Sequence, residues 1–142
     1  MAVVVGIDEA GLGPVLGPLV HSSVAFELPP GAGEPDLWEL LAGSVARRPR
    51  RGALAIADSK RLYRGGGVGR GLSAIERGVL ASLAVLGERP ASLEALLRLL
   101  APATLAEAAP YPWYRDLARP LPAVCDPAAI DADAARLDRA MS

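Results

Sequence analysis

The chain carries one cysteine, Cys125, and one histidine, His21. A single cysteine excludes an internal disulfide framework and a multi-cysteine zinc site. A single histidine removes the usual Ser-His and multi-His catalytic designs. No stretch approaches the ~20 apolar residues that a membrane helix needs. Residues 1–5 are apolar but have neither a basic leader nor a long apolar region. They do not read as a signal peptide, and a cytoplasmic location is expected. No internal repeat and no inter-domain linker is visible. Any chemistry therefore rests on carboxylates, backbone groups, Arg, Lys, Ser or Tyr. With 142 residues, 51% of them hydrophobic, the chain suits one domain with its own core rather than a disordered segment.

Net charge is −1, yet the charge is unevenly placed. Residues 45–70 hold Arg47, Arg48, Arg50, Arg51, Lys60, Arg61, Arg64 and Arg70 against Asp58 alone, a window of +7 in a chain whose remainder is −8. Such a concentration is a candidate phosphate-binding surface; without a partner it is a solvated basic loop.

Val3, Val4, Val5 and Ile7 form a β-branched run that predicts a buried strand ending near Asp8. Gly11, Gly13, Pro14, Gly17 and Pro18 forbid a regular helix and predict a tight turn. Residues 19–28 read as a second strand, antiparallel to the first, with Val20, Val24 and Phe26 as core candidates. Asp36 and Glu39 have capping-box spacing and predict a short helix over Leu40 and Leu41. Residues 53–57 are a third strand candidate ending at Asp58-Ser59-Lys60, and residues 65–71 read as a flexible glycine-rich loop. Ser73 and Glu76 form a second capping box, followed by apolar residues at helical spacing. Residues 92–101 predict an amphipathic helix, and residues 120–125 a fourth strand. Asp126-Pro127 sets an N-cap with Pro at the first helical position, so the last helix runs over residues 128–141. Tyr111, Trp113 and Tyr114 read as a rigid plug on the core, with base stacking as the alternative. His21 reads as structural, and Cys125 as a small buried hydrophobe.

The sharpest feature is Gly6-Ile7-Asp8-Glu9-Ala10-Gly11-Leu12-Gly13-Pro14. Two carboxylates close an apolar strand, where they repel each other and lose hydration. A divalent cation relieves both costs, and a hard cation such as Mg²⁺ takes oxygen ligands while keeping several waters. Adjacent strand residues face opposite sides, so both serve one site only if the strand ends or twists between them. The alternative is a plain solvated pair. A dinucleotide loop is disfavoured, because the third glycine comes one place late and Pro14 and Pro18 spoil the helix start.

This opening, continued by Gly17-Pro18-Leu19-Val20, resembles that of the type 2 ribonucleases H, the bacterial ribonuclease HII family. Asp58-Ser59-Lys60 resembles that family's second short motif, and the end of the chain resembles the helix before its third acidic motif. The resemblance implies an α/β, ribonuclease H-like mixed sheet: an antiparallel three-stranded start, then helices and an added strand. It implies a single domain over residues 1–142, C-terminally incomplete, with residues 90–121 as a family-atypical insertion. The implied activity is metal-dependent endonucleolytic cleavage of the RNA strand of RNA–DNA hybrids, or of DNA containing ribonucleotides. Asp8 and Glu9 would be the catalytic, metal-binding pair for Mg²⁺ or Mn²⁺. Gly11, Leu12, Gly13 and Pro14 would approach the minor groove and the 2′-hydroxyl. Ser59 and Lys60 would hold a phosphate.

Two departures accompany the resemblance. Leu12 stands where the family usually has Arg, and Leu donates to neither a phosphate nor a 2′-hydroxyl. The family's third and fourth carboxylates have no counterpart before Ser142; Asp131, Asp133 and Asp138 read instead as capping and solvating residues of the last helix. Weak or absent activity and self-association through an exposed sheet edge are therefore expected of this chain. A non-catalytic nucleic-acid-binding relative, a fragment of a split enzyme and a nucleotide-binding α/β module are the alternatives.

Overall fold

The computed structural model describes residues 2–10, 19–31, 33, 35–63, 68–108 and 110–142; side chains are described for all of these except 10, 68–71 and 113. The chain divides into two compact units, Met1–Asp36 and Leu37–Ser142.

In the first unit, β1 (Ala2–Ala10) pairs antiparallel with β2 (Val20–Leu28), in register from Ala2↔Leu28 to Ala10↔Val20. The β-branched run supplies the strand preference, as expected. Three expectations change. The strand is not buried: Val3, Val5 and Ile7 are exposed. The strand does not end near Asp8, because residues 8–10 still find backbone partners across β2. Val20 and Val24 are exposed rather than core, whereas Leu28 is buried.

The second unit contains α1 (Leu37–Leu40), β3 (Val45–Ala46), β4 (Leu54–Ala55), α2 (Ser59–Leu62), α3 (Val68–Val85), α4 (Leu93–Leu100), α5 (Pro102–Glu107), a 3₁₀ turn at Pro112–Tyr114, and α6 (Pro127–Met141). Its core joins Val45 and Leu54 to Leu80, Ala81 and Leu83 of α3 and to Ile130, Ala134 and Leu137 of α6. The α6 residues fall at i, i+4 and i+7, one stripe of a helix.

The expected third antiparallel strand is replaced by β4, which pairs in parallel with β3 (Val45↔Leu54, Ala46↔Ala55). Leu54 N donates to Ser44 O at 2.8 Å and Ile56 N to Ala46 O at 3.0 Å. These bonds close residues 47–53 into a loop that carries four of the basic residues. A turn with Gly52 at φ +82° lets the chain reverse before Ala53.

Residues 120–125 make bends and one bridge, Ser92↔Pro120, in place of the expected fourth strand. Leu121 N donates to Ala91 O at 3.0 Å, so the two ends of the segment between them meet. The glycine-rich stretch is helical from Val68, which puts Ser73 inside α3 rather than at its cap. The Asp126 cap agrees with expectation, and Ser92 supplies a further cap that the sequence reading does not name. Ser92 Oγ accepts from Ala95 N at 3.1 Å, and Asp126 Oδ1 accepts from Ala128 N at 3.1 Å ahead of Pro127.

The described residues thus form a mixed α/β protein with a small antiparallel sheet and a parallel pair, compatible with a ribonuclease H-like fold. No described helix is long and apolar enough to cross a membrane.

Candidate functional site: an acidic doublet and a basic loop

Asp8 and Glu9 occupy successive positions of β1, opposite Ser22 and His21. Because pairing continues past both, strand alternation sends them to opposite faces. Both are exposed. Asp8 Oδ1 accepts from Glu9 N at 2.8 Å. Asp8 lines a shallow concavity of about 370 Å³ with Ser22 and Ser23, among others, and Glu9 does not. Glu9 Oε2 lies instead 4.0 Å from Nδ1 of His21, whose side chain is 60% exposed. His21 is therefore a surface neighbour of the doublet, not a packed structural residue.

The donor chemistry suits a hard cation: carboxylate oxygens, with serine hydroxyls beside Asp8. The number is small. Among the described residues, no group of three or more His, Cys, Asp and Glu side chains converges as a metal cage would. That set fits Mg²⁺, which is commonly held by one or two carboxylates, waters and substrate phosphates. Gly11, Leu12, Gly13 and Pro14 lie outside the described residues.

In the second unit, Asp58 caps α2, its Oδ1 accepting from Lys60 N at 2.8 Å. The aspartate of this motif thus organises the turn from which Lys60 and Arg61 project. Both line a concavity of about 530 Å³ with Arg47, Arg48, Pro49 and Leu62. Ser59 shares the turn but not the concavity. The Arg47 guanidinium stacks over Trp38 at 4.6 Å from the ring centroid, which restrains one cation at the rim. Among the described residues, no carboxylate pairs with Arg48, Lys60 or Arg61. Four cations thus border one opening with no carboxylate among its lining residues, a charge arrangement that favours anions.

Two further clusters escape the sequence reading. Glu76 of α3 is buried, and its carboxylate accepts from the backbone N–H groups of Ala123 (2.5 Å), Val124 (2.9 Å) and Cys125 (2.9 Å). Burial pushes its pKa up, but these bonds outweigh burial and hold it below the usual carboxylate range. Cys125 is only half-buried, and its Sγ donates to Ser73 O at 3.1 Å. Burial, reinforced by the negative Glu76, pushes its thiol up.

The second cluster centres on Asp133, which is 1% exposed. It binds Arg77 through Nε (2.9 Å) and Nη2, and Arg136 through Nη1 (2.8 Å). The expectation of a solvating residue is corrected. Asp133 falls on the apolar stripe of α6 between Ile130 and Leu137, so the helix turns it inward, where it requires cationic partners. An acidic residue on an apolar stripe was the available signal. Asp131 sits on the surface, paired with Arg89 at 2.5 Å.

No family model matches the chain, and no solved structure matches it. Ribonuclease HII of Gluconobacter oxydans (strain 621H) is 41% identical to it over 93 residues, 62% of this chain and 42% of that protein. The chain thus spans about two fifths of the length of the curated relative it matches. That similarity supports a type 2 ribonuclease H-like relationship and, at family level, a hydrolase of the endoribonuclease kind.

Proposed function

We propose that the chain is a ribonuclease H type 2-like nuclease unit that engages RNA–DNA hybrids, or DNA containing ribonucleotides, and cuts the RNA strand with Mg²⁺ or Mn²⁺. The observation that carries this reading is the opening lined by Arg47, Arg48, Lys60 and Arg61, because Lys60 belongs to the motif that resembles that family's. The similarity to ribonuclease HII supports the substrate class.

In this reading Lys60 and Arg61 hold a backbone phosphate as fixed charges, and the Asp58 cap sets the turn that aims them. Asp8, with Ser22 and Ser23 beside it, supplies oxygen ligands on one face of β1, while Glu9 lies on the other face beside His21. A divalent cation bound there would stabilise charge developing on the phosphate oxygens during cleavage. One carboxylate on that face makes a sparse donor set, so the expected rate is low. The meeting of residues 91 and 121 supports reading residues 90–121 as an insertion, since an inserted segment must leave and re-enter at one place.

A non-catalytic nucleic-acid-binding relative is favoured by one observation: the described residues offer no third ligand. Hybrid binding by wild type and Lys60→Ala tests the phosphate half of the proposal. Cation-dependent cleavage by wild type and Asp8→Asn tests the catalytic half.

A further inference from the structure

We infer that the chain has a second phosphate-binding site, on the opposite flank of the basic loop, lined by Arg50, Arg51, Arg77 and Arg136. These four border a concavity of about 300 Å³ between the loop, β4, α3 and α6.

Its base is built rather than incidental. The enclosed carboxylate of Asp133 holds two guanidiniums, of Arg77 and of Arg136, each about a third exposed. One arginine neutralises one buried carboxylate; the second leaves a positive excess that folding alone does not call for. Asp133 engages Arg77 through Nε and Nη2 and Arg136 through Nη1. That leaves Nη1 of Arg77 and Nε and Nη2 of Arg136 without a partner among the described residues. No partnerless side-chain nitrogen or oxygen is buried there, so these donors reach solvent.

The loop adds two more cations. Arg50 is anchored by its Nη2, which donates to Ala42 O at 2.6 Å, and Arg51 is exposed with no ion pair among the described residues. With Asp133 the facing charges total +3. Guanidinium forks match phosphate oxygens in pairs, and an anion relieves the repulsion among them.

Pro49 lines both this concavity and the one that contains Lys60. The two basins therefore lie on either side of a single proline rim. A polyanion crossing that rim places phosphates in both, which favours a nucleic-acid backbone over an isolated phosphate as the occupant. This identification rests on the function proposed above.

The test is the salt dependence of binding to a fluorescein-labelled RNA–DNA hybrid, followed by anisotropy for wild type, Arg51→Glu, Lys60→Ala and the double variant. Arg51 is used because it is exposed, whereas replacing Arg77 or Arg136 disturbs the buried aspartate. Arg51→Glu is expected to weaken binding about tenfold and to lower the salt slope by about 1, with a further loss in the double variant. Loss in Lys60→Ala with none in Arg51→Glu overturns the second site and leaves the proposed function standing. Loss in neither overturns both. Inorganic phosphate is the other arm: Arg51-dependent phosphate binding with unchanged hybrid affinity contradicts the backbone as the occupant.

Discussion

Arg77 of α3 reaches the enclosed carboxylate of Asp133 on α6 with two nitrogens, its Nε at 2.9 Å, and so pins the two longest helices together. Asp133→Asn removes the charge and cannot accept as many bonds. The expected loss is about 3 kcal/mol, the low end for a broken buried pair, because both guanidiniums rehydrate. Urea unfolding measures it. A loss under about 1 kcal/mol would mean the pair behaves as a surface bridge.

Glu76 makes stability depend on pH. Its folded pKa lies below the value of an unfolded glutamate, about 4.3, so the unfolded chain takes up the proton first as pH falls. The stabilisation is complete above that value and is lost as pH drops through the lower, folded one. Glu76→Gln brings an amide N–H₂ toward three N–H donors and is expected to cost about 1–3 kcal/mol at neutral pH. The gap between wild type and Glu76→Gln in melting temperature should narrow between pH 5 and pH 3. A gap constant across that range would show that the carboxylate charge is not what holds residues 123–125.

In the proposed function Lys60 holds a backbone phosphate, so Lys60→Ala would remove a contact that carries no base information. Hybrid affinity should fall uniformly across sequences, and the salt slope should fall by about 1. Anisotropy titrations at several salt concentrations read both quantities. An unchanged slope would remove Lys60 from the interface.

The parts legible in the sequence are those fixed by local chemistry. The β-branched run made the first strand, and Asp126-Pro127 capped its helix as the side chain dictates. Asp58-Ser59-Lys60, expected at the end of a strand, opens the short helix α2 instead, with Asp58 as its cap. The Ser73 to Glu76 spacing misled because the same spacing also occurs inside a helix; there Glu76 serves a loop 47 residues away instead of the helix start. Strand β3 is two residues long, too short to show alternation. Asp133 was hidden because its partner Arg77 is 56 residues distant, and only the packing of α3 on α6 joins them.

Cleavage of a hybrid labelled separately on each strand tests the central claim most directly. Purified wild type and Asp8→Asn are incubated with the hybrid and Mg²⁺ or Mn²⁺, alongside a DNA duplex of the same sequence. The expected result is slow, cation-dependent cutting of the RNA strand alone by wild type, abolished in Asp8→Asn while hybrid binding persists. Cutting that survives Asp8→Asn, or hybrid bound without any cutting, would contradict the assignment of Asp8 to catalysis.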